Sequence, residues 1–238
     1  MDELRATGAL VAARFVARPN RFIVTADLED GRRTRAWLAD PGRLERLLVS
    51  HAELRLRPNP PSNNRKTAYT VALVRASAPP RAWVSVDTML ANRLVEPLLA
   101  AGRLHGLGSP WGVRREVRRG ASRFDFVLTR GEDEVVVEVK SVTLVDNGIG
   151  RFPDAPTVRG SRHVRELREL VEQGDRAAVL FVVQRGDAHA VTPNPEIDPL
   201  FAHELRLARK SGVLLRAIRF HHTPSGRAVY RGPLPVRT

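Results

Sequence analysis

The sequence predicts a mixed α/β protein in two parts: an OB-fold-like (oligonucleotide-binding) β-barrel over residues 1–86 and an α/β unit over residues 87–238. Three observations carry this. Short apolar alternations separated by turn residues fill the stretch from Phe15 to Val86. A helical stripe replaces that pattern at Leu90. A continuous apolar run, Ala177–Val183, lies between two helical segments, as in a strand covered on both faces.

In the first part, strands are expected over residues 21–28, 34–38, 52–57, 68–76 and 82–86. The turns Glu29-Asp30-Gly31 and Asp40-Pro41-Gly42 and a proline and asparagine loop over 58–64 separate them. With one short helical piece near 43–48, five short strands suit a small barrel. Residues 90–101 form the junction helix, with Leu94, Leu98 and Ala101 on one face and Gly102 as its stop. Segments 122–129 and 134–142 flank the turn Arg130-Gly131-Glu132-Asp133 and form a hairpin. After a loop rich in Gly and Pro over 145–160, Ser161 caps a helix running to about residue 173. Val164, Leu167, Leu170 and Val171 are its buried stripe, and Gly174 ends it. A helix near 199–210 and a strand over 212–220 complete the unit.

Composition narrows the partner class. The chain carries 39 basic and 26 acidic side chains, a formal charge of +13, which draws polyanions through counterion release. An arginine-rich solvated surface explains the same charge equally well. DNA, single- or double-stranded, is the expected partner, with RNA as a second candidate. The scarcity of aromatics, 5% of the chain, and the excess of cations disfavour a sugar or phosphosugar binder. There is no cysteine, so thiol-based zinc, redox and disulfide chemistry are excluded. No signal peptide or apolar run of membrane-spanning length appears, which points to a cytoplasmic protein without a membrane partner.

The hairpin carries the chemistry. In Val137-Glu138-Val139-Lys140, alternation sends Glu138 and Lys140 to one face and both valines to the other. Asp125 lies in the partner arm between Phe124 and Phe126, which alternation places on the opposite face. Two carboxylates on an apolar sheet repel unless a cation sits between them. Mg²⁺ or Mn²⁺ accepts such oxygens, polarises a phosphate and lowers the pKa of bound water. Of the 39 cations only Lys66, Lys140 and Lys210 are lysine, so lysine at 140 suggests a need for a compact, titratable amine. The plainer reading is an exposed Glu-x-Lys pair, with Asp125 bound to Arg123 or Arg159.

The run Arg115-Glu116-Val117, Gly120, Ser122-Arg123-Phe124-Asp125-Phe126, Glu138-Val139-Lys140-Ser141-Val142-Thr143-Leu144, Phe152-Pro153-Asp154-Ala155, Thr157, Arg159-Gly160, His163 and Glu166-Leu167 resembles the sugar fermentation stimulation protein family. So do Arg18-Pro19-Asn20-Arg21-Phe22, Pro41-Gly42-Arg43-Leu44, Arg65-Lys66-Thr67, Val84-Ser85-Val86-Asp87-Thr88 and Ala91-Asn92-Arg93-Leu94. The resemblance implies an OB-fold barrel, a carboxy-terminal PD-(D/E)xK nuclease-like domain, non-sequence-specific DNA binding and a regulatory part in sugar, particularly maltose, utilisation. It departs at Val158, where the family usually has an acid, and at Arg119, where it often has Tyr.

Further residues each have two readings. Glu116 is a candidate third metal carboxylate or a solvated partner of Arg114 or Arg118. Asp154 could touch metal or phosphate when the loop after the site folds over it, but suits a turn or cap better. His163 either supports the site and contacts phosphate or is a surface histidine; Arg123 is a candidate to support the site or contact phosphate, and Arg159, just before the helix, suits phosphate. Arg162, Arg165 and Arg168 form a charged stripe, ordinarily a solvated face, which beside a nuclease site could track a DNA backbone. In the barrel, Phe22, Trp37, Tyr69 and Trp83 are stacking candidates interleaved with Arg21, Arg35 and Arg65, with most of the four expected in the core. Arg65 and Lys66 are phosphate-contact candidates. The functional expectation is a DNA-binding protein that hydrolyses phosphodiesters; the alternative is a non-catalytic regulator that keeps the nuclease fold as a scaffold.

Overall fold

A computed structural model describes residues 3–5, 9–61, 66–108 and 110–238, with side chains described from residue 9 onward. Arg65 and residues 62–64 of the expected loop lie outside the described residues. The backbone divides into two compact units. The first holds residues 1–90, 184–187 and 220–231, and the second holds 91–183, 188–219 and 232–238.

The early strands are β1 (Glu3–Arg5), β2 (Val11–Asn20), β3 (Ile23–Leu28), β4 (Arg33–Trp37), β5 (Glu53–Pro58), β6 (Tyr69–Arg75) and β7 (Trp83–Ser85), followed by α1 (Thr88–Ala100). Five of these strands close a barrel in the order β4-β3-β2-β5-β6. Parallel pairing of β4 with β6, at Ala36↔Tyr69 and Trp37↔Thr70, shuts it. This is the topology of an oligonucleotide-binding barrel. Val24, Ala26, Ala36, Leu54, Leu56, Val71 and Val74 point inward and form its core.

The barrel has five strands, but not the five expected from the sequence. Residues 82–86 hold β7, which pairs with the edge of β6 outside the closure. The first barrel strand is β2, which the pattern hid. Its pairing with β3 shifts register between Phe15 and Ala17 and again before Asn20. Such bulges break the two-residue period that a pattern reading depends on.

The second half continues with β8 (Gly112–Arg119), β9 (Ser122–Arg130), β10 (Asp133–Val142), β11 (Val145–Asp146), β12 (Ile149–Phe152), α2 (Val158–Glu172), β13 (Ala177–Val183), β14 (Ala190–Pro193), α3 (Pro199–Ser211), β15 (Leu214–His222) and β16 (Arg227–Leu234). Its main sheet runs β15-β13-β10-β9-β8. The three strands β15, β13 and β10 are parallel, while β9 and β8 extend the sheet antiparallel. β13 is buried at all seven positions, as its unbroken apolar run predicts. A small sheet, β11-β12-β14, accompanies it, and β16 pairs with β1 at Leu4↔Ala228.

The helix α2 begins earlier than expected. Thr157, not Ser161, is the N-cap, its hydroxyl accepting from Gly160 N–H. Ser161 lies in the first turn, with its Oγ 3.2 Å from the Thr157 carbonyl. A single buried carboxylate ties two helix starts together. Asp198 Oδ1 caps α3 at Phe201 N–H (2.8 Å), and Oδ2 accepts from Thr157 N–H (2.7 Å). Val164 and Leu167 of α2 and Phe201, Leu205 and Ala208 of α3 share one core with the sheet. In α1, Leu94 and Leu98 are buried, but Ala101 lies beyond the helix end and is exposed. Among the described residues, no helix is long and apolar enough to cross a membrane.

The first unit buries a histidine with a clear pH consequence. His222 is fully buried with Nε2 2.9 Å from Gln184 Oε1, and burial pushes its pKa down to about 3, with the charge of His221 adding to the effect. The unfolded chain takes up that proton near pH 6.5, whereas the folded chain does so only near pH 3. Stability is therefore full above pH 6.5 and falls as pH drops towards 3. This one group removes about 3 kcal/mol by pH 4. Urea midpoints between pH 7 and 4 should fall less steeply for His222→Gln than for the wild type; parallel slopes would contradict the assignment.

Candidate functional site

The site forms where the β9–β10 hairpin stops pairing. The ladder runs from Asp133↔Arg130 to Val137↔Phe126 and ends there. Continued pairing would set Glu138 opposite Asp125. Instead, Asp125 Oδ2 accepts from the Val139 N–H at 2.7 Å, so a side chain takes the place of the next rung. Its Oδ1 accepts from Asn92 Nδ2 of α1 at 2.7 Å. Beyond this point β10 continues beside β13, with Glu138 opposite Val179 and Lys140 opposite Phe181. The hairpin itself turns through two residues, with Gly131 at φ 59° as such turns require.

Glu138 and Lys140 share a face, as alternation predicts, but they are buried rather than displayed, at 5% and 9% exposure. Lys140 Nζ donates to Glu138 Oε1 at 2.7 Å. The same oxygen meets His163 Nδ1 of α2 at 2.6 Å. His163 Nε2 accepts from Arg159 Nε at 3.3 Å, which leaves Nδ1 carrying the proton donated to Glu138. His163 is thus no surface residue; it is 1% exposed. Phe124 packs edge-on against it at 5.5 Å, and joins Val127 and Val136 in the core. Strict alternation, which pairs Phe124 with Phe126 and against Val127, therefore fails where the ladder opens.

The electrostatics are asymmetric. Burial raises the pKa of Asp125, and the neighbouring Glu138 charge raises it further, against the Val139 and Asn92 hydrogen bonds and Lys140. Burial alone would raise Glu138 too, but the charge of Lys140 and the bond from His163 outweigh it and hold Glu138 below its usual range. Glu138 Oε2 is buried without a protein hydrogen-bond partner. A desolvated carboxylate oxygen with no donor, beside a second desolvated carboxylate, suits a cation.

Other candidates are placed elsewhere. Glu116, at φ 53°, bonds Arg123 Nε through Oε2 at 2.9 Å in a half-exposed ion pair. Asp125 bonds neither Arg123 nor Arg159 as the plainer reading suggested: Arg123 pairs with Glu116 and Arg159 with His163. Among the described residues, no three His, Asp or Glu side chains gather closely enough to hold a metal ion by themselves. The arginine stripe of α2 is largely occupied. Arg165 bonds the buried Glu204 of α3 at 2.9 Å, while Arg162 and Arg168 pair with Glu166 and Glu172 along the helix. In the barrel, Tyr69 packs against the core, and Trp83 lies 4.7 Å from the Arg55 guanidinium. Trp37 is exposed, stacked on Phe22 at 5.1 Å, with Arg21 over the Phe22 ring, and Lys66 is exposed. The residue that pattern reading missed is Asn92. Its signal was a short polar side chain of low helix propensity beside the apolar residues of the helix.

The fold and site define a class: an oligonucleotide-binding barrel joined in one chain to an α/β unit in which half-buried Asp125 lies beside buried Glu138, Lys140 and His163. Comparison with known proteins is specific. Residues 16–86 match the SfsA N-terminal OB domain, and residues 89–226 match the sugar fermentation stimulation protein RE domain. A sugar fermentation stimulation protein homolog of Moorella thermoacetica is 47% identical over 216 residues, covering 90% of this chain and 91% of that protein. One from Symbiobacterium thermophilum is 44% identical over 239 residues, covering 94% of each. The solved structure of Pyrococcus furiosus SfsA in complex with Ca²⁺ has a TM-score of 0.88 and 30% identity, covering 96% of each chain. The chain belongs to the sugar fermentation stimulation protein family.

Proposed function

We propose that this chain binds DNA without sequence preference and hydrolyses phosphodiesters at the hairpin centre, a site of the PD-(D/E)xK nuclease type acting in the cytoplasm. The observation that carries the reading is the unpartnered buried oxygen of Glu138 beside desolvated Asp125 and Lys140. These residues fit Mg²⁺ or Mn²⁺, which are commonly held by one or two carboxylates with water completing the shell. Asp125 and Glu138 would hold the ion, and the Ca²⁺ complex of the Pyrococcus furiosus relative supports a hard cation in this fold. When bound, such an ion supplies Lewis-acid polarisation of the phosphate and a lowered pKa for attacking water.

The chain's own residues do the rest. Lys140 keeps a compact ammonium where negative charge develops on the phosphate. His163 holds the Glu138 carboxylate through Oε1 and leaves Oε2 for the cation. Arg159, at the start of α2, adds a guanidinium suited to phosphate. The formal charge of +13 supports DNA as the polyanion, with affinity falling steeply as salt rises.

The test is cleavage of single-stranded DNA, duplex DNA and RNA with Mg²⁺ or Mn²⁺. Wild-type protein should cut at least one, and Asp125→Ala none. Every substrate left intact would overturn the enzymatic reading. The second reading, a non-catalytic DNA-binding regulator of sugar utilisation, is favoured because, among the described residues, no three His, Asp or Glu side chains are grouped so as to hold a metal ion by themselves. It requires salt-sensitive binding without cleavage.

A further inference from the structure

The outer surface of β3 and β4 carries an unusual step. Trp37 is 41% exposed, and its ring lies 8° from parallel on Phe22 with centroids 5.1 Å apart. The backbone on both sides fixes this pair. Phe22 N–H donates to Asn20 Oδ1 at 2.9 Å, and the Phe22 carbonyl accepts from Leu38 N–H at 2.8 Å. Ile23 sits opposite Trp37 in the ladder. The indole is therefore held in place before any partner arrives, which lowers the cost of ordering on binding.

Positive charge accompanies it. Arg33, Arg35 and Trp37 share the outer face of β4. Arg33 is spent on Asp27 at 2.8 Å, whereas exposed Arg35 has no carboxylate within ion-pair distance among the described residues. Alternate strand residues lie about 7 Å apart, so a base on Trp37 leaves its neighbouring phosphate within reach of Arg35. The guanidinium of Arg21 lies 4.8 Å over Phe22. This is also the strand pair on which barrels of this topology take oligonucleotides.

A duplex hides the faces of its bases inside its own stack, and only an unpaired base offers one to an indole. We propose that Trp37 is a stacking platform for an unpaired base, with Arg35 on the adjacent phosphate, so that the barrel engages single-stranded polynucleotide. This rests on the nucleic-acid reading above and narrows its substrate.

The experiment is fluorescence anisotropy of the full chain with labelled oligo(dT), oligo(U) and duplex DNA of equal length. Trp37→Ala should weaken oligo(dT) binding about tenfold or more, Trp37→Phe should retain most of it, and duplex affinity should move by less than about twofold. Loss on oligo(dT) alone assigns DNA, and loss on oligo(U) as well assigns a platform indifferent to the sugar. Unchanged single-strand affinity in Trp37→Ala, or an equal loss on duplex, overturns the platform while leaving nucleic-acid binding intact. Wild-type protein that binds none of the three overturns the nucleic-acid reading itself.

Discussion

Lys140→Met should destabilise the chain by about 3 kcal/mol and lower the proposed metal-dependent cleavage by about two to three orders of magnitude. The stability effect follows from burial. Lys140 and Glu138 are joined at 2.7 Å at side-chain exposures of 10% and 7%, and removing one partner of such a pair leaves an uncompensated charge, worth about 3–5 kcal/mol. His163 still donates to Glu138 Oε1, which places the effect at the lower end of that range. Methionine keeps the length and apolar stem of lysine, so little of the loss is packing. A urea midpoint that falls with an unchanged slope measures it. Adding Glu138→Gln to Lys140→Met should restore much of the stability, because the stranded charge is gone, while restoring no cleavage. In cleavage the single variant loses about two to three orders of magnitude, the usual effect of deleting a group aimed at developing charge. A stability drop of less than about 1 kcal/mol would contradict the buried pair, whatever the outcome for catalysis.

The division of the site between what was legible and what was not has a physical basis. Glu138 and Lys140 were legible because strand alternation is local: two residues apart on β10 means one face, wherever the strand goes. The run Ala177–Val183 was legible for a related reason, since a short strand covered on both faces is apolar at every position. What escaped depends on non-local geometry. The hairpin ladder ends after Val137↔Phe126, and no period-based reading marks where a ladder ends. Asp125 therefore reaches the Val139 amide, and Phe124 turns against His163, contrary to alternation. For His163 the sequence left a site-supporting role and a surface position equally open. Its burial comes from α2 packing its Val164 and Leu167 stripe on the sheet, which carries the imidazole to Glu138. Glu116 failed as a third ligand for the converse reason, since at φ 53° its carboxylate bonds Arg123. In the barrel, the bulges of β2 hide it from a two-residue period, while β7, which lies outside the closure, shows the period of a barrel strand.

Asp125→Asn should move stability and cation binding in opposite directions. With no divalent ion, the folded chain holds a desolvated carboxylate whose pKa burial and Glu138 both raise, so its charge is unfavourable at neutral pH. An asparagine keeps an acceptor for the Val139 N–H, and the Asn92 amide can present its oxygen to the new donor. Removing the charge should then stabilise the metal-free protein by about 1 kcal/mol. The wild type regains stability from a cation: at a hundredfold excess over its Kd an ion contributes about 2.7 kcal/mol, a melting shift of about 5 °C or more in a chain of this length. Thermal melts in EDTA, Mn²⁺ and Ca²⁺ separate the two effects, and Ca²⁺ reports binding independently of turnover. The expected order is Asp125→Asn above wild type in EDTA and below it in Mn²⁺. An Asp125→Asn protein less stable than wild type in EDTA would mean that the bonds to Asn92 and Val139 outweigh the repulsion from Glu138. The carboxylate would then be a structural rung of the opened hairpin. Only a charge that costs stability until an ion arrives has the energetic signature of a binding site.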